Sequence, residues 1–345
     1  MKSFSVALLP GDGIGPEVID GAKQVIKTVG KKFQVKFDFD EYLIGKRALE
    51  EKDDQLPVDT LEGIKNADAA LMATPAVAEL PPPSVVGRLR RELDLFADVR
   101  LVKSFDGTWS LQPDIDIVFI RECTEGFLAD RNLYRGYGEF MPTEDCVMSL
   151  RVLTEKACRR IAQFAFGYAS STGRKTVTVA HKANVFNQGC NFFLEKVYQA
   201  SKAYPEITVK DQAVDSIANH LIAQPNKYDI ILTTNMFGDI LSDEGAALVS
   251  NLVPTANIGE VASVYAPLDH NPRWDEEGKD ITNPLPIILC TGMMLKHLGM
   301  HKESSKIESA VNEVLRCNIK TVDMGGSSST STVVKSVCQM IEDNE

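Results

Sequence analysis

The sequence predicts an α/β protein with a ligand cleft at one end of its strands, and three observations predict it. Short apolar runs alternate with longer amphipathic stretches, a glycine-rich break follows the first run, and five strand-like runs each deliver special residues at their carboxyl ends. In open α/β sheets ligands bind at those ends. One polar residue after a strand means little; the repetition favours a shared cleft.

Phe4 to Leu9 alternates into a short strand, PGDGIG at Pro10 to Gly15 breaks it, and Pro16-Glu17 opens a helix reaching about Val29. Glycines there let backbone N–H groups approach a ligand closely. Gly11, Gly13 and Gly15 do not form GxGxxG, so a plain tight turn accounts for them equally well. Lys36 to Phe39 and Ala67 to Ala73 are the next strands, the latter ending at Thr74. A proline-rich loop over Glu79 to Ser84 leads into a helix predicted over Val85 to Phe96, which exposes its arginines. Asp116 to Ile120 reads as a strand with Arg121 at its end, and Glu155 to Tyr168 as an amphipathic helix. Thr176 to Ala180 is strand-like with Lys182 just beyond.

Asp229 to Leu232 is a buried strand that runs into Asn235, Asp239 and Asp243. The last two are four residues apart, so a helix sets both carboxylates on one face. Taken alone, that spacing fits a solvated face near a helix N-terminus. Beyond Asn251 an irregular loop is predicted over Gly259 to Pro286, which includes Trp274. Helices follow at Ile287 to Leu298 and Ser305 to Arg316, and GGSSSTST at Gly325 to Thr332 either caps a final helix or serves as a flexible linker.

With 345 residues the chain has room for two domains. Its formal charge of -11, without a run of basic residues, argues against nucleic acid or an anionic membrane as partner. Seven cysteines without CxxC spacing read as reduced thiols in a cytoplasmic protein. The first apolar stretch is too short for a signal peptide, and no run reaches membrane-spanning length.

Six segments occur in the order found in one family: GDGIGPE at Gly11 to Glu17, LRRELDLFADVR at Leu89 to Arg100, IRECTEG at Ile120 to Gly126, AHKANV at Ala180 to Val185, TTNMFGDILSDEG at Thr233 to Gly245, and NIGE at Asn257 to Glu260. The chain resembles the β-decarboxylating dehydrogenases, the isocitrate/isopropylmalate dehydrogenase family, nearest in motif texture to the homoisocitrate and isocitrate types. The resemblance implies an isopropylmalate dehydrogenase-like two-domain α/β fold rather than a Rossmann domain. Residues 1–99 and 252–345 would form the large domain with the cofactor loop, and 100–251 the second, with the dimer interface. It implies oxidation, with decarboxylation, of a 2-hydroxy di- or tricarboxylic acid, using NAD and Mg²⁺ or Mn²⁺.

By the same resemblance Arg90, Arg100 and Arg121 clamp substrate carboxylates, which guanidinium binds bidentately. Ser84 falls where isocitrate enzymes place a carboxylate-binding serine. Asp239 and Asp243 become metal ligands, with Asp215 and the base Lys182 contributed across a homodimer interface. The cofactor side comprises Ile14, Thr74, Asn235, His270, Asp275 and Asn283.

Two departures stand out. The position of the family's catalytic tyrosine is Leu128, which cannot protonate a carbon. Either Tyr134, Tyr137 or a metal-bound water replaces it, or the product needs no such donor, or the chain is a catalytically weak or regulatory subunit. In the adenosine loop, Asp275 favours a ribose hydroxyl and NAD, whereas Arg273 would suit a phosphate and Trp274 could stack on adenine. Pro81 to Gly87 replaces the element that touches the variable substituent and leaves the acid unnamed.

Overall fold

The computed structural model describes residues 2–76, 80, 83–128, 138–269 and 271–343. Met1–Leu93, Ser104–Ser110 and Val249–Glu345 form one compact unit, and Asp94–Lys103 with Leu111–Leu248 form another.

The first unit opens with β1 (Ser3–Gly11), α1 (Gly15–Phe33) and β2 (Lys36–Glu41). Proline in the first turn and Glu17 suit the start of α1, and its apolar face, Val18, Ile19, Ala22, Val25, Ile26 and Val29, is buried at helical spacing. Then come α2 (Gly45–Lys52), α3 (Val58–Asn66), β3 (Ala69–Thr74) and α4 (Val85–Glu92). All six residues of β3 are buried, as a continuous apolar run requires of a strand covered on both faces.

Helix α4 stops at Glu92, short of the predicted Phe96. Asp94 takes a left-handed φ of 45° and Ala97 begins a strand. Leu93, Leu95 and Phe96 are nevertheless buried, and their apolar spacing is what mimics a longer helix.

The second unit comprises β4 (Ala97–Lys103), β5 (Asp116–Glu122), β6 (Glu139–Thr143), β7 (Cys146–Ser149), α5 (Glu155–Thr172) and β8 (Thr176–His181). It continues with α6 (Asn187–Ser201), β9 (Thr208–Ala213), α7 (Val214–Ala223), β10 (Ile230–Thr233) and α8 (Asn235–Ala247). Its main sheet runs β4-β5-β10-β8-β9, with β4 antiparallel to β5 and the other neighbours parallel. The parallel core brings the ends of β5, β8 and β10 to one edge, where Arg121, Lys182 and Asn235 lie. Strands β6 and β7 form a separate hairpin with exposed Phe140, Met141, Val147 and Met148.

The chain returns to the first unit through β11 (Pro254–Ile258), β12 (Ser263–Pro267), α9 (Leu285–His297), α10 (His301–Arg316) and α11 (Thr330–Asp343). The strand order there is β2-β1-β3-β12-β11. Strand β12 lies inside the stretch predicted as irregular loop. It is only five residues long, but Val264 pairs with Ala70 of β3 and Asn257 of β11, and every residue is buried. Tertiary pairing, rather than local pattern, makes it a strand. The Thr332 N–H donates to Ser329 Oγ at the start of α11, so the serine-rich segment does cap the final helix.

The second unit takes in residues 94–99, of which 97–99 pair with β5, from Ala97 opposite Glu122 to Val99 opposite Ile120, and the first unit takes in residues 249–251. Ser104–Ser110 is tied to the first unit, where the Asp106 N–H donates to Asn312 Oδ1 at 3.0 Å. No helix among the described residues is long and apolar enough to cross a membrane.

Candidate active site

In the second unit, neighbouring strands aim two buried arginines at one face of α8. Arg100 projects from β4 at 5% exposure and Arg121 from the end of β5 at 2%. Arg100 donates to Asp98 Oδ2 from Nε and Nη2, to Ser242 Oγ at 2.8 Å, to Asp243 Oδ1 at 2.9 Å and to Asp239 Oδ1 at 3.1 Å. Arg121 bonds Asp239 Oδ1 through Nη1 and Asn235 Oδ1 through Nε and Nη2, at 3.0 and 2.7 Å. Asn235 donates in turn to the Glu125 carbonyl at 2.7 Å, so its amide orients Arg121.

The close approach depends on Gly238, where a Cβ would lie 2.7 Å from Arg121 Cγ. Burial alone would lower the Arg100 pKa, but the charge of Asp98, then Asp239 and Asp243, holds it above the ordinary value. Burial raises the Asp243 carboxyl; Arg100 pulls it back and Asp239 adds to the rise.

Two guanidiniums here face three carboxylates, Asp98, Asp239 and Asp243, which leaves one negative charge in excess. Asp98 is buried, whereas Asp239 and Asp243 present oxygens to solvent. A pair of hard, solvent-facing oxygen donors with excess negative charge suits a divalent cation such as Mg²⁺ or Mn²⁺. No group of three or more His, Cys, Asp or Glu suited to a metal occurs among the described residues.

Beyond β8, Lys182 Nζ donates to Asp215 Oδ1 at 2.7 Å, and this bond is the main reason the Asp215 carboxyl is held below its usual value. The two residues pair with each other and, among the described residues, share no hydrogen-bond partner with Arg100 or Arg121.

The first unit carries the remaining expected residues. Arg90 is buried, and its Nε donates to Asn257 Oδ1 at 2.7 Å. Ser84 caps α4 by accepting the Gly87 N–H at 3.1 Å. Ile14 precedes α1 and its N–H donates to the Pro272 carbonyl at 3.0 Å, while Thr74 Oγ1 donates to the Asp12 carbonyl at 3.3 Å. Asp275 is exposed, and Asn283 braces α9 by accepting the Leu285 N–H and donating to Asp323. His270, Tyr134 and Tyr137 lie outside the described residues.

Arg273, read from sequence as a possible phosphate ligand, already donates to Asp269 at 2.7 Å, with Glu276 nearby. Lys46 Nζ lies 5.1 Å from the Trp274 ring centroid. Leu128 is 43% exposed.

Three structural partners escaped the sequence reading. Asp98 braces both arginines, and Asn257 holds Arg90. Fully buried Asp12 accepts N–H groups of Lys46, Arg47 and Ala76 at 2.9, 3.1 and 2.7 Å, knitting the glycine turn to α2 and the end of β3. The only signal was that Asp12, Asp98 and Asn257 lie within GDG, LRRELDLFADVR and NIGE.

A family profile described as "Isocitrate/isopropylmalate dehydrogenase" matches residues 5–337. The chain belongs to this family. It is therefore a member of a group of dehydrogenases that oxidise and decarboxylate hydroxy acids. It is 39% identical to 3-isopropylmalate dehydrogenase of Methanothermobacter thermautotrophicus over 99% of this chain and 100% of that one. It is 35% identical to isocitrate/homoisocitrate dehydrogenase of Thermus thermophilus over 99% of each. The crystal structure of isocitrate dehydrogenase from Methylococcus capsulatus superposes with a TM-score of 0.89 at 34% identity, covering 99% of this chain and 100% of that one.

Proposed function

We propose that this chain catalyses NAD- and divalent-metal-dependent oxidation, with loss of CO₂, of a 2-hydroxy di- or tricarboxylic acid of the isocitrate, homoisocitrate, isopropylmalate or malate type. The observation that carries the reading is the convergence of Arg100 and Arg121 on Asp239 and Asp243. Asp239 and Asp243 would hold Mg²⁺ or Mn²⁺, completed by Asp215 from a second copy in a homodimer. A bound metal would make the substrate hydroxyl more acidic, and NAD would accept the hydride.

The chain's own residues supply orientation and proton transfer. Arg90, Arg100 and Arg121 bind carboxylates through planar guanidinium edges, and Ser84 adds a hydroxyl. Lys182, from the second copy, would take the hydroxyl proton on its neutral amine, and its bond to Asp215 supports a shared role for the two residues. Ile14, Thr74, Asn235, His270, Asp275 and Asn283 form the cofactor side, with Asp275 selecting NAD through a ribose hydroxyl. The pairing of Arg273 with Asp269 supports NAD over NADP, because that guanidinium is already engaged. Seven cysteines that form no disulfide fit a cytoplasmic setting.

A second reading rests on Leu128, whose side chain carries no proton to donate. On that reading the chain is a catalytically weak or regulatory subunit that binds the same ligands. Purified protein assayed with Mg²⁺ or Mn²⁺, NAD and NADP, and a panel of malate-type acids separates the two. Metal-dependent reduction of NAD by one acid supports the first reading. Ligand binding without cofactor reduction by any acid supports the second. A strong preference for NADP overturns the cofactor assignment.

A further inference from the structure

We propose that a hollow in the second unit, between Arg151 and the first turn of α6, binds a small organic carboxylate with an apolar body. The hollow measures about 610 Å³ and is lined by Arg151, Leu153, Phe186, Gly189 and Phe192 among others. That volume is within the range of small-molecule sites.

Arg151 is the anchor. Its guanidinium lies 5.1, 5.7 and 6.0 Å from the ring centroids of Phe186, Phe237 and Phe127, which restrains its orientation. Among the described residues no carboxylate reaches it, although the protein holds 48 acidic residues against 37 basic ones. Its hydrogen-bond partners are Cys190 Sγ, 3.7 Å from both Nη1 and Nη2, and Thr234 Oγ1 at 3.5 Å. These are long contacts for a group with five N–H donors, and they leave much of its capacity for an anion.

Gly189 keeps the approach open. A Cβ there would lie 3.1 Å from Arg151 Nη1 and 3.0 Å from Leu153 Cδ1, so a side chain would intrude between them. The first turn of α6 holds no acidic residue and no side-chain cap bond, so its N–H groups add to the positive end of the hollow. One guanidinium matches one carboxylate, and the phenyl rings and Leu153 offer apolar contact to the rest of the ligand. A phosphate would use the charge and waste the apolar walls.

The test titrates the full chain, in its solution oligomeric state, with phenylacetate and its neutral isostere phenylacetamide by calorimetry. The wild-type chain binds phenylacetate at least about tenfold more tightly. Arg151→Gln abolishes that preference. Gln188→Glu, an isosteric change at an exposed position of the same turn, weakens phenylacetate binding by repulsion while favouring the helix N-terminus, so misfolding cannot explain the loss. Equal binding of the two probes, absence of binding at millimolar concentration, or a preference that survives in Arg151→Gln overturns the site. A preference seen only in dissociated protomers also overturns it and assigns the hollow to a second copy of the chain.

Discussion

Arg100 holds Asp243 from a neighbouring element: Nη1 on β4 lies 2.9 Å from Oδ1 on α8. The same guanidinium reaches Asp98, Asp239 and Ser242, a fan of contacts that an ammonium cannot reproduce. Arg100→Lys should therefore leave Asp98 poorly paired in the interior. A loss of about 2–4 kcal/mol in unfolding free energy by urea titration is expected, with kcat/KM reduced by about two orders of magnitude. Unchanged stability would show that the buried network is not what fixes Arg100.

The architecture was readable in sequence wherever an element carried its own period or punctuation. Pro16 and the apolar stripe of α1 locate that helix, and Ile230–Thr233 followed by a polar turn locates β10. Strand β12 was not readable, because its identity comes from pairing with β3 and β11 far away in the chain. At the candidate site, Arg100, Arg121, Asp239 and Asp243 were legible through the resemblance of their motifs to a family, whereas Asp98 received no role although it lies within LRRELDLFADVR. A buried acid between two strand positions has no local pattern to distinguish it from a surface one. Asp12 escaped for a related reason: its partners are backbone N–H groups of two other segments, which no side-chain motif records.

Asp54 ties α4 to the preceding loop through Arg88, whose guanidinium also donates to the Leu56 carbonyl. The Arg88 hydrogen bond is the largest cause holding the Asp54 carboxyl below its ordinary 3.8. For a depressed carboxyl the stabilisation is complete above the unfolded value and fades as pH falls through the folded one. Because Asp54 is about one-third exposed, screening limits the effect to about 1 kcal/mol. Asp54→Asn should be less stable than wild type near neutrality, and the gap should close below about pH 4. Urea unfolding at a series of pH values measures it, and a gap that widens in acid contradicts it.

Leu128 is exposed, so Leu128→Tyr should change unfolding free energy by less than about 0.5 kcal/mol. If leucine suits the natural substrate, turnover on that acid should fall with the substitution. Steady-state kinetics on the acid found by the substrate panel decides this. A rise in kcat would instead mark the chain as a weakened member of its family.

Gly13 adopts a φ of 55°, and a Cβ there would lie 2.0 Å from the Pro272 carbonyl oxygen. Gly13→Ala must therefore push the loop at Pro272 away from the glycine turn, breaking the bond from the Ile14 N–H to the Pro272 carbonyl. The KM for NAD should rise by about tenfold or more, with a smaller change in kcat. A matching loss in both would place the glycine turn at the chemical step instead.

A site completed by a second copy makes a prediction that no single-chain site shares. Asp215 would come from one protomer and Asp239 from the other, so Asp215→Asn and Asp239→Asn should each inactivate their own homodimers. In a hybrid dimer one site combines the intact Asp239 of the first variant with the intact Asp215 of the second, and the other site carries both changes. Random reassortment of an equal mixture places about half of the dimers in the hybrid form, so about a quarter of wild-type activity should return. The mixture must be unfolded and refolded together, since stable dimers do not exchange protomers on mixing. If activity stays at the level of the separate variants, Asp215 and Asp239 do not serve one site across an interface. Recovery that needs co-refolding, and is absent on simple mixing, ties Asp239 of α8 to the Lys182–Asp215 pair of the other copy.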